Sequence, residues 1–103
     1  MIAQIVHFKS GLTDKQVLEM YHSRSPRYRA LKGLIQKYYL RYPTTGEHGA
    51  FYLWESEEAL KDFRESELAR SIPKVYQVQG APVVEMAEIV LALHPSREPG
   101  ARH

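Results

Sequence analysis

The chain has 103 residues, 44% of them hydrophobic and 25% charged, with a net charge of +2 at pH 7. This is one domain's worth of ordinary globular sequence, and its charge is too small to mark a nucleic-acid binder. It contains no cysteine, which excludes disulfides, thiolate catalysis and cysteine-ligated zinc or iron–sulfur centres.

Residues 2–9 read as a strand. One face carries Ile2, Gln4, Val6 and Phe8, and the other Ala3, Ile5, His7 and Lys9. Both faces are largely apolar, as in a central strand buried on both sides. This apolar start has no basic lead-in, no small-residue cleavage site and too little length for a membrane span. The expectation is a cytoplasmic protein without membrane contact.

Thr13 opens a helix, with Gln16 completing a capping box and Leu12 and Val17 placed as a hydrophobic staple. Val17, Tyr21, Arg24, Tyr28 and Leu31 follow at helical spacing. Pro26 lacks an N–H and its ring meets the carbonyl of His22, so the pattern predicts a helix over 14–24, a break, and a short second helix to Leu31. Gly33 is the expected C-cap glycine.

Residues 34–42 and 49–55 form a predicted hairpin, with Gly46 free to take positive φ in the turn between them. On the second of these strands Phe51 and Leu53 point one way, and Ala50, Tyr52 and Trp54 the other. Ser56 caps a helix whose buried stripe is Ala59, Leu60 and Phe63. One more short helical turn is predicted over 66–72, stopped by Pro73, and 74–80 is open between loop and strand. The last strand is predicted over 83–92, and the tail over 94–103 is expected to be disordered.

The order is βαββαβ. It predicts an α+β, ferredoxin-like sandwich over 1–93: a four-stranded antiparallel sheet with helices on one face. If the helices cover Ala3, Ile5, His7, Ala50, Tyr52 and Trp54, then Val6, Phe8, Phe51 and Leu53 form an outward apolar patch. A patch of that kind predicts a homodimer packed sheet on sheet. The same assignment puts His7, Tyr52 and Trp54 together beneath the broken first helix, where a gap would make a small-molecule pocket.

The stretch Phe-Tyr-Leu-Trp-Glu-Ser-Glu-Glu-Ala-Leu, residues 51–60, resembles the strand-to-helix junction of antibiotic-biosynthesis-monooxygenase-like members of the dimeric α+β barrel superfamily. Residues 8–33, with a loop, a helix, a proline and then Leu-x-Gly, resemble the EthD-like branch. The layout matches over residues 2–92. The EthD-like pattern has a histidine two residues before the proline, where this chain has Arg24. The resemblance implies a monooxygenase, an isomerase, a haem-degrading enzyme or a protein without catalysis. Haem-degrading members carry an amide on the first strand, a Trp ending the third, and a His on the helical region after it. Trp54 matches, His7 holds the first position, and 63–76 contains no histidine, so haem degradation is not expected.

His7 is the candidate catalytic base, because a neutral imidazole can take a phenolic or hydroxyl proton at neutral pH; a hydrogen-bonded core histidine or one at a dimer seam is the plainer alternative. Tyr52 and Trp54 are the first substrate-binding candidates, followed by Tyr21, Tyr28 and Tyr39, which could stack on a flat substrate or simply fill the core. Arg24 falls on the apolar stripe and could hold an anionic group, while His22 reads as either a pocket-mouth or a solvent residue. His48, beside the hairpin turn, is expected to face solvent. No metal-site spacing, nucleotide loop or nucleophile elbow is present, so no metal or cofactor is expected.

The reading that results is a cofactor-independent monooxygenase acting on an aromatic or quinol-like small molecule. The alternatives are a polyketide-type cyclase or isomerase, and a non-catalytic ligand-binding dimer.

Overall fold

A computed structural model describes residues 1–95; the remainder of the tail expected to be disordered, 96–103, lies outside the described residues. The elements run β1 (Ile2–Ser10), α1 (Asp14–Arg29), β2 (Leu34–Arg41), β3 (His48–Trp54), α2 (Glu57–Arg64), α3 (Glu67–Arg70), α4 (Ile72–Val75) and β4 (Val78–Glu88). The strands form one antiparallel sheet in the order β2-β3-β1-β4. This is the ferredoxin-like βαββαβ arrangement, with its second crossover divided into three short helices.

The start of α1 forms as its sequence dictates. Gln16 N–H donates to the Thr13 hydroxyl at 3.2 Å, and Thr13 N–H donates to Gln16 Oε1 at 2.9 Å. Leu12 packs against the cluster that holds Val17. The break predicted at Pro26 does not occur, and α1 runs on to Arg29. Pro26 withdraws the N–H that would bond the His22 carbonyl, but the Ser25 hydroxyl donates to that carbonyl at 3.1 Å. The helix closes at Ala30 rather than at Gly33. Gly33 instead takes φ of 87° in the turn into β2, where a Cβ would lie 2.5 Å from that of Ala59. Pro73 also differs from its predicted role. It sits in the first turn of α4, where a missing N–H costs nothing, and β4 begins at Val78, ahead of the predicted 83.

The register between β1 and β3 decides what faces the helices. Ile2 lies opposite Trp54, Gln4 opposite Tyr52, Val6 opposite Ala50, and His7 opposite Gly49. Residues directly opposite share a face. Ile2, Gln4, Val6 and Phe8 therefore point under the helices with Trp54, Tyr52 and Ala50. This corrects the predicted faces of β1 by one residue. His7, Ala3 and Ile5 lie on the far side of the sheet from Tyr52 and Trp54, while Val6 and Phe8 do not face outward. Phe51 and Leu53 do, beside Ile5, Leu40 and Tyr38, so the uncovered face is apolar with a different set of residues.

The core under the helices falls into two clusters. Ile2, Tyr28, Ala50, Tyr52, Trp54, Leu60, Phe63 and Leu68 form the larger, and Phe8, Val17, Tyr21 and Tyr76 the smaller. α1 packs against β2, α2 against β3 and α4 against β4.

Gly49 leaves no room for a side chain, since a Cβ would sit 2.1 Å from the Val6 carbonyl oxygen and 2.9 Å from His7 Cα. Backbone cannot yield as a flexible side chain would. Gly49→Ala should lower stability by about 3 kcal/mol or more in denaturant melts. Thr13→Ala, which removes only the helix cap, should lower it by about 1 kcal/mol.

Candidate active site

Between the two core clusters lies a cavity of about 470 Å³. Its floor is the helix face of the sheet: Gln4, Val6 and Phe8 from β1, Lys37 and Tyr39 from β2, and Ala50 and Tyr52 from β3. Tyr21 and Tyr28 descend from α1, Phe63 from α2, and Ile72 and Pro73 from α4. Tyr76 closes one end, and Arg64 and Arg70 add cationic groups on the helical side. The gap does not come from a broken helix. It lies between α1 and α2–α4, over a floor kept low by Ala50.

Five tyrosines line the space: Tyr21, Tyr28, Tyr39, Tyr52 and Tyr76. Tyr21 and Tyr39 lie 4.2 Å apart between ring centroids, and Tyr28 lies 6.2 Å from Tyr52. Burial raises the pKa of Tyr21, Tyr39, Tyr52 and Tyr76, and neighbouring phenols add to the rise. These groups are neutral hydroxyls at physiological pH. They can stack on a flat ligand and share hydrogen bonds with its oxygens, but they do not supply a phenolate.

Gln4 is almost fully buried, and its Oε1 accepts from Trp54 Nε1 at 2.9 Å. An indole N–H only donates, which fixes the amide oxygen toward it and leaves the amide nitrogen to donate. Trp54 itself is fully enclosed and does not line the cavity; it stacks behind Tyr52 at 5.6 Å with an interplanar angle of 11°. The amide that meets the third-strand tryptophan is thus Gln4, not the group at position 7.

Lys37 is the unexpected member. Its Nζ lies 3.1 Å from the ring centroid of Tyr28, 4.4 Å from that of Tyr39 and 4.7 Å from that of Tyr52. Among the described residues no carboxylate lines the cavity. Burial lowers the Lys37 pKa to about 6, and the charge of Arg24 pushes the same way. The amine is therefore largely unprotonated at neutral pH, in a cage of neutral phenols.

Other candidates from the sequence fall elsewhere. His7 lies on the uncovered face, with Nδ1 2.6 Å from Glu47 Oε1 and its ring 4.7 Å from that of Tyr42. The shared face that made His7 a partner of Tyr52 and Trp54 is absent, because a one-residue change of register turns a side chain to the other side of the sheet. His22 is exposed on α1. Arg24 is buried but does not line the cavity; its guanidinium donates to the Leu68 carbonyl at 2.7 Å and to the Ser71 hydroxyl at 3.1 Å, tying α1 to the end of α3. His48 is buried rather than exposed, with Nε2 3.0 Å from Asp14 Oδ1. Tyr21, Tyr28, Tyr39 and Tyr52 all line the cavity.

Sequence reasoning missed Gln4 and Lys37, and it weighed Tyr76 only as one of several tyrosines that could stack on a flat substrate or fill the core. Lys37 carried a usable signal, since it shares the alternation of Tyr39 and Arg41 and stands opposite Tyr52.

The same layout occurs in solved structures. NE2512, a protein of unknown function from Nitrosomonas europaea, superposes with a TM-score of 0.72 at 16% identity, over 92% of this chain and 94% of its own. SnoaB of Streptomyces nogalater, a cofactor-independent oxygenase, gives 0.71 at 7% identity, over 89% and 95%. A structure described as an antibiotic biosynthesis monooxygenase gives 0.70 at 13% identity, over 88% and 100%. The chain shares the fold of these structures. No protein-family model and no curated protein matches the sequence. At these identities the likeness carries the fold and leaves the chemistry to the site.

The cavity makes a prediction for stability. In the window between about 6 and 10.5 the unfolded chain holds a proton on Lys37 that the folded chain lacks, so this group makes stability rise with pH. Above 10.0 the sign reverses, because the unfolded tyrosines lose protons that the buried ones keep. Lys37→Met should raise neutral-pH stability by about 1–3 kcal/mol. It should also flatten the rising limb, as read from denaturant melts across that pH range.

Proposed function

We propose that this protein is a cofactor-independent monooxygenase acting on an aromatic or quinol-like small molecule, held between sheet and helices. The observation that carries the reading is the tyrosine-lined cavity itself, flat-walled, apolar and furnished with neutral hydroxyl donors. An electron-rich phenol or quinol anion can pass an electron to dioxygen directly. The protein then has to supply a place to lose the proton, a water-poor enclosure and a fixed orientation. The barrel fold, shared with a neighbour described as a cofactor-independent oxygenase, supports this assignment.

Oxygen uptake with dihydroxynaphthalenes and anthrones tests it. Uptake should exceed autoxidation and fall at least about tenfold in Ala69→Leu, which pushes bulk into the cavity from α3. Rates equal to the protein-free blank would sink the reading. Proton exchange or cyclisation without oxygen consumption would replace it with the cyclase or isomerase.

The proposal includes a homodimer. Ile5, Leu40, Phe51 and Leu53 lie on a sheet face that no helix of the chain covers, and Tyr38 there is 57% exposed. Sheet-on-sheet packing with a second copy would bury this face and enclose the His7–Glu47 pair. Sedimentation equilibrium at micromolar concentration should give a dimer for the wild type and a monomer for Phe51→Glu. A wild-type monomer would rule the interface out.

A further inference from the structure

The cavity holds one amine and no acid. Lys37 approaches it from β2, with Tyr28 contributed by α1, Tyr39 by its own strand and Tyr52 by β3, while Arg24 lies outside the lining but near enough for its charge to act on Lys37. Arg64, Arg70 and Tyr76 stand around the same space. Apart from the Lys37 amine, the ionisable groups in that set are arginines and phenols. An amine is normally buried against a carboxylate, yet here three aromatic rings surround it and no carboxylate among the described residues does. A site of this kind favours a ligand that arrives neutral and becomes an anion on binding.

We infer that Lys37 is the proton acceptor of the cavity, and that its ligand is an aromatic or enolic compound bearing an acidic hydroxyl, bound as an oxyanion beside the Lys37 ammonium. This deepens the function proposed above and rests on the cavity being its aromatic site. The O–H bond of the ligand breaks, its electron pair stays on the ligand oxygen, and the proton forms an N–H bond on the Lys37 amine. No oxidant takes part in this step. Burial keeps the amine unprotonated before the ligand enters, so it is ready to accept. The fixed charge of Arg24, held by Leu68 and Ser71, favours the anion once formed. Neutral tyrosine hydroxyls can donate to the new oxyanion.

4-Nitrophenol tests this without redox chemistry, because its absorbance reports its ionisation. At a pH below its own pKa, the wild type should bind it as the anion and release no proton to solvent, as followed with a pH indicator in weak buffer. Lys37→Arg supplies the cation of the bound state but cannot accept the proton, so it should release one proton for each anion bound. Lys37→Met, its fold checked by circular dichroism, should bind the protonated form on the order of tenfold more weakly. Proton release by the wild type would overturn the inference, as would retained ionisation in Lys37→Met or ionisation lost only in His7→Ala. Failure of 4-nitrophenol to bind the wild type would overturn it too. Ionisation without oxygen uptake on the quinol panel would leave Lys37 as the acceptor and remove the oxygenase. Uptake that survives Lys37→Met would do the reverse.

Discussion

The pairing of β1 with β3 is the constraint on which the rest of the structure depends. Gln4 stands opposite Tyr52 and His7 opposite Gly49, and this register selects every side chain that faces the cavity. Gly49 secures it sterically, since the backbone of Val6 and His7 occupies the space a Cβ would need. Trp54 secures it chemically, because its indole N–H finds an acceptor only when Gln4 is on the same face. A slip of one residue would bury Ile5 and His7 in place of Gln4 and Val6. It would also leave the indole donor without its partner in a dry core. Apolar residues on both faces of β1 make such a slip cheap in hydrophobic energy alone, so the discrimination rests on these polar and steric contacts.

A second consequence is the division of the core. A sheet covered by helices usually fills its interior at close to crystal density, and a void the size of this cavity is expensive unless a ligand uses it. Here the walls are tyrosines rather than aliphatic side chains, which keeps the space rigid and partly polar. The pKa values of Tyr21, Tyr39, Tyr52 and Tyr76 rise together because each sits in low dielectric near other phenols. The same burial acts oppositely on Lys37, where the charged form is the protonated one. One environment thus yields weak acids that hold their protons and a base that lacks one. That separation of roles is what a site needs to move a proton from a ligand without ionising its own walls.

Much of this fold was legible in the sequence, and the reasons are local. The capping box at Thr13 and Gln16, the serine cap of α2 and the hairpin turn at Gly46 follow from short-range hydrogen bonding and backbone preference. Element order then restricts the topology. The site was read less well because it depends on register, a long-range property. With both faces of β1 apolar, no pattern within 2–9 says which face meets Tyr52. His7 was favoured because histidine is the usual base near neutral pH. Lys37 was passed over because lysine in a strand is usually solvated, and only a tertiary environment lowers its pKa. Pro26 shows a smaller version of the same limit: the rule against proline in helices is sound, but Ser25 satisfies the orphaned carbonyl and the helix continues.

His7 still has a place in the physics. It is paired with Glu47 at the edge of the apolar face, stacked near Tyr42 and far from the cavity's phenols. Enclosed between two sheets, an ion pair at that position would have to keep its geometry, since separating its partners would strand a charge in low dielectric. The two titratable pairings of the sheet, imidazole with carboxylate on one side and amine with phenols on the other, therefore face different demands. The outer pair is a direct contact between imidazole and carboxylate on the face no described helix covers. The inner amine has no counter-charge of its own, and a bound anion is what would complete it.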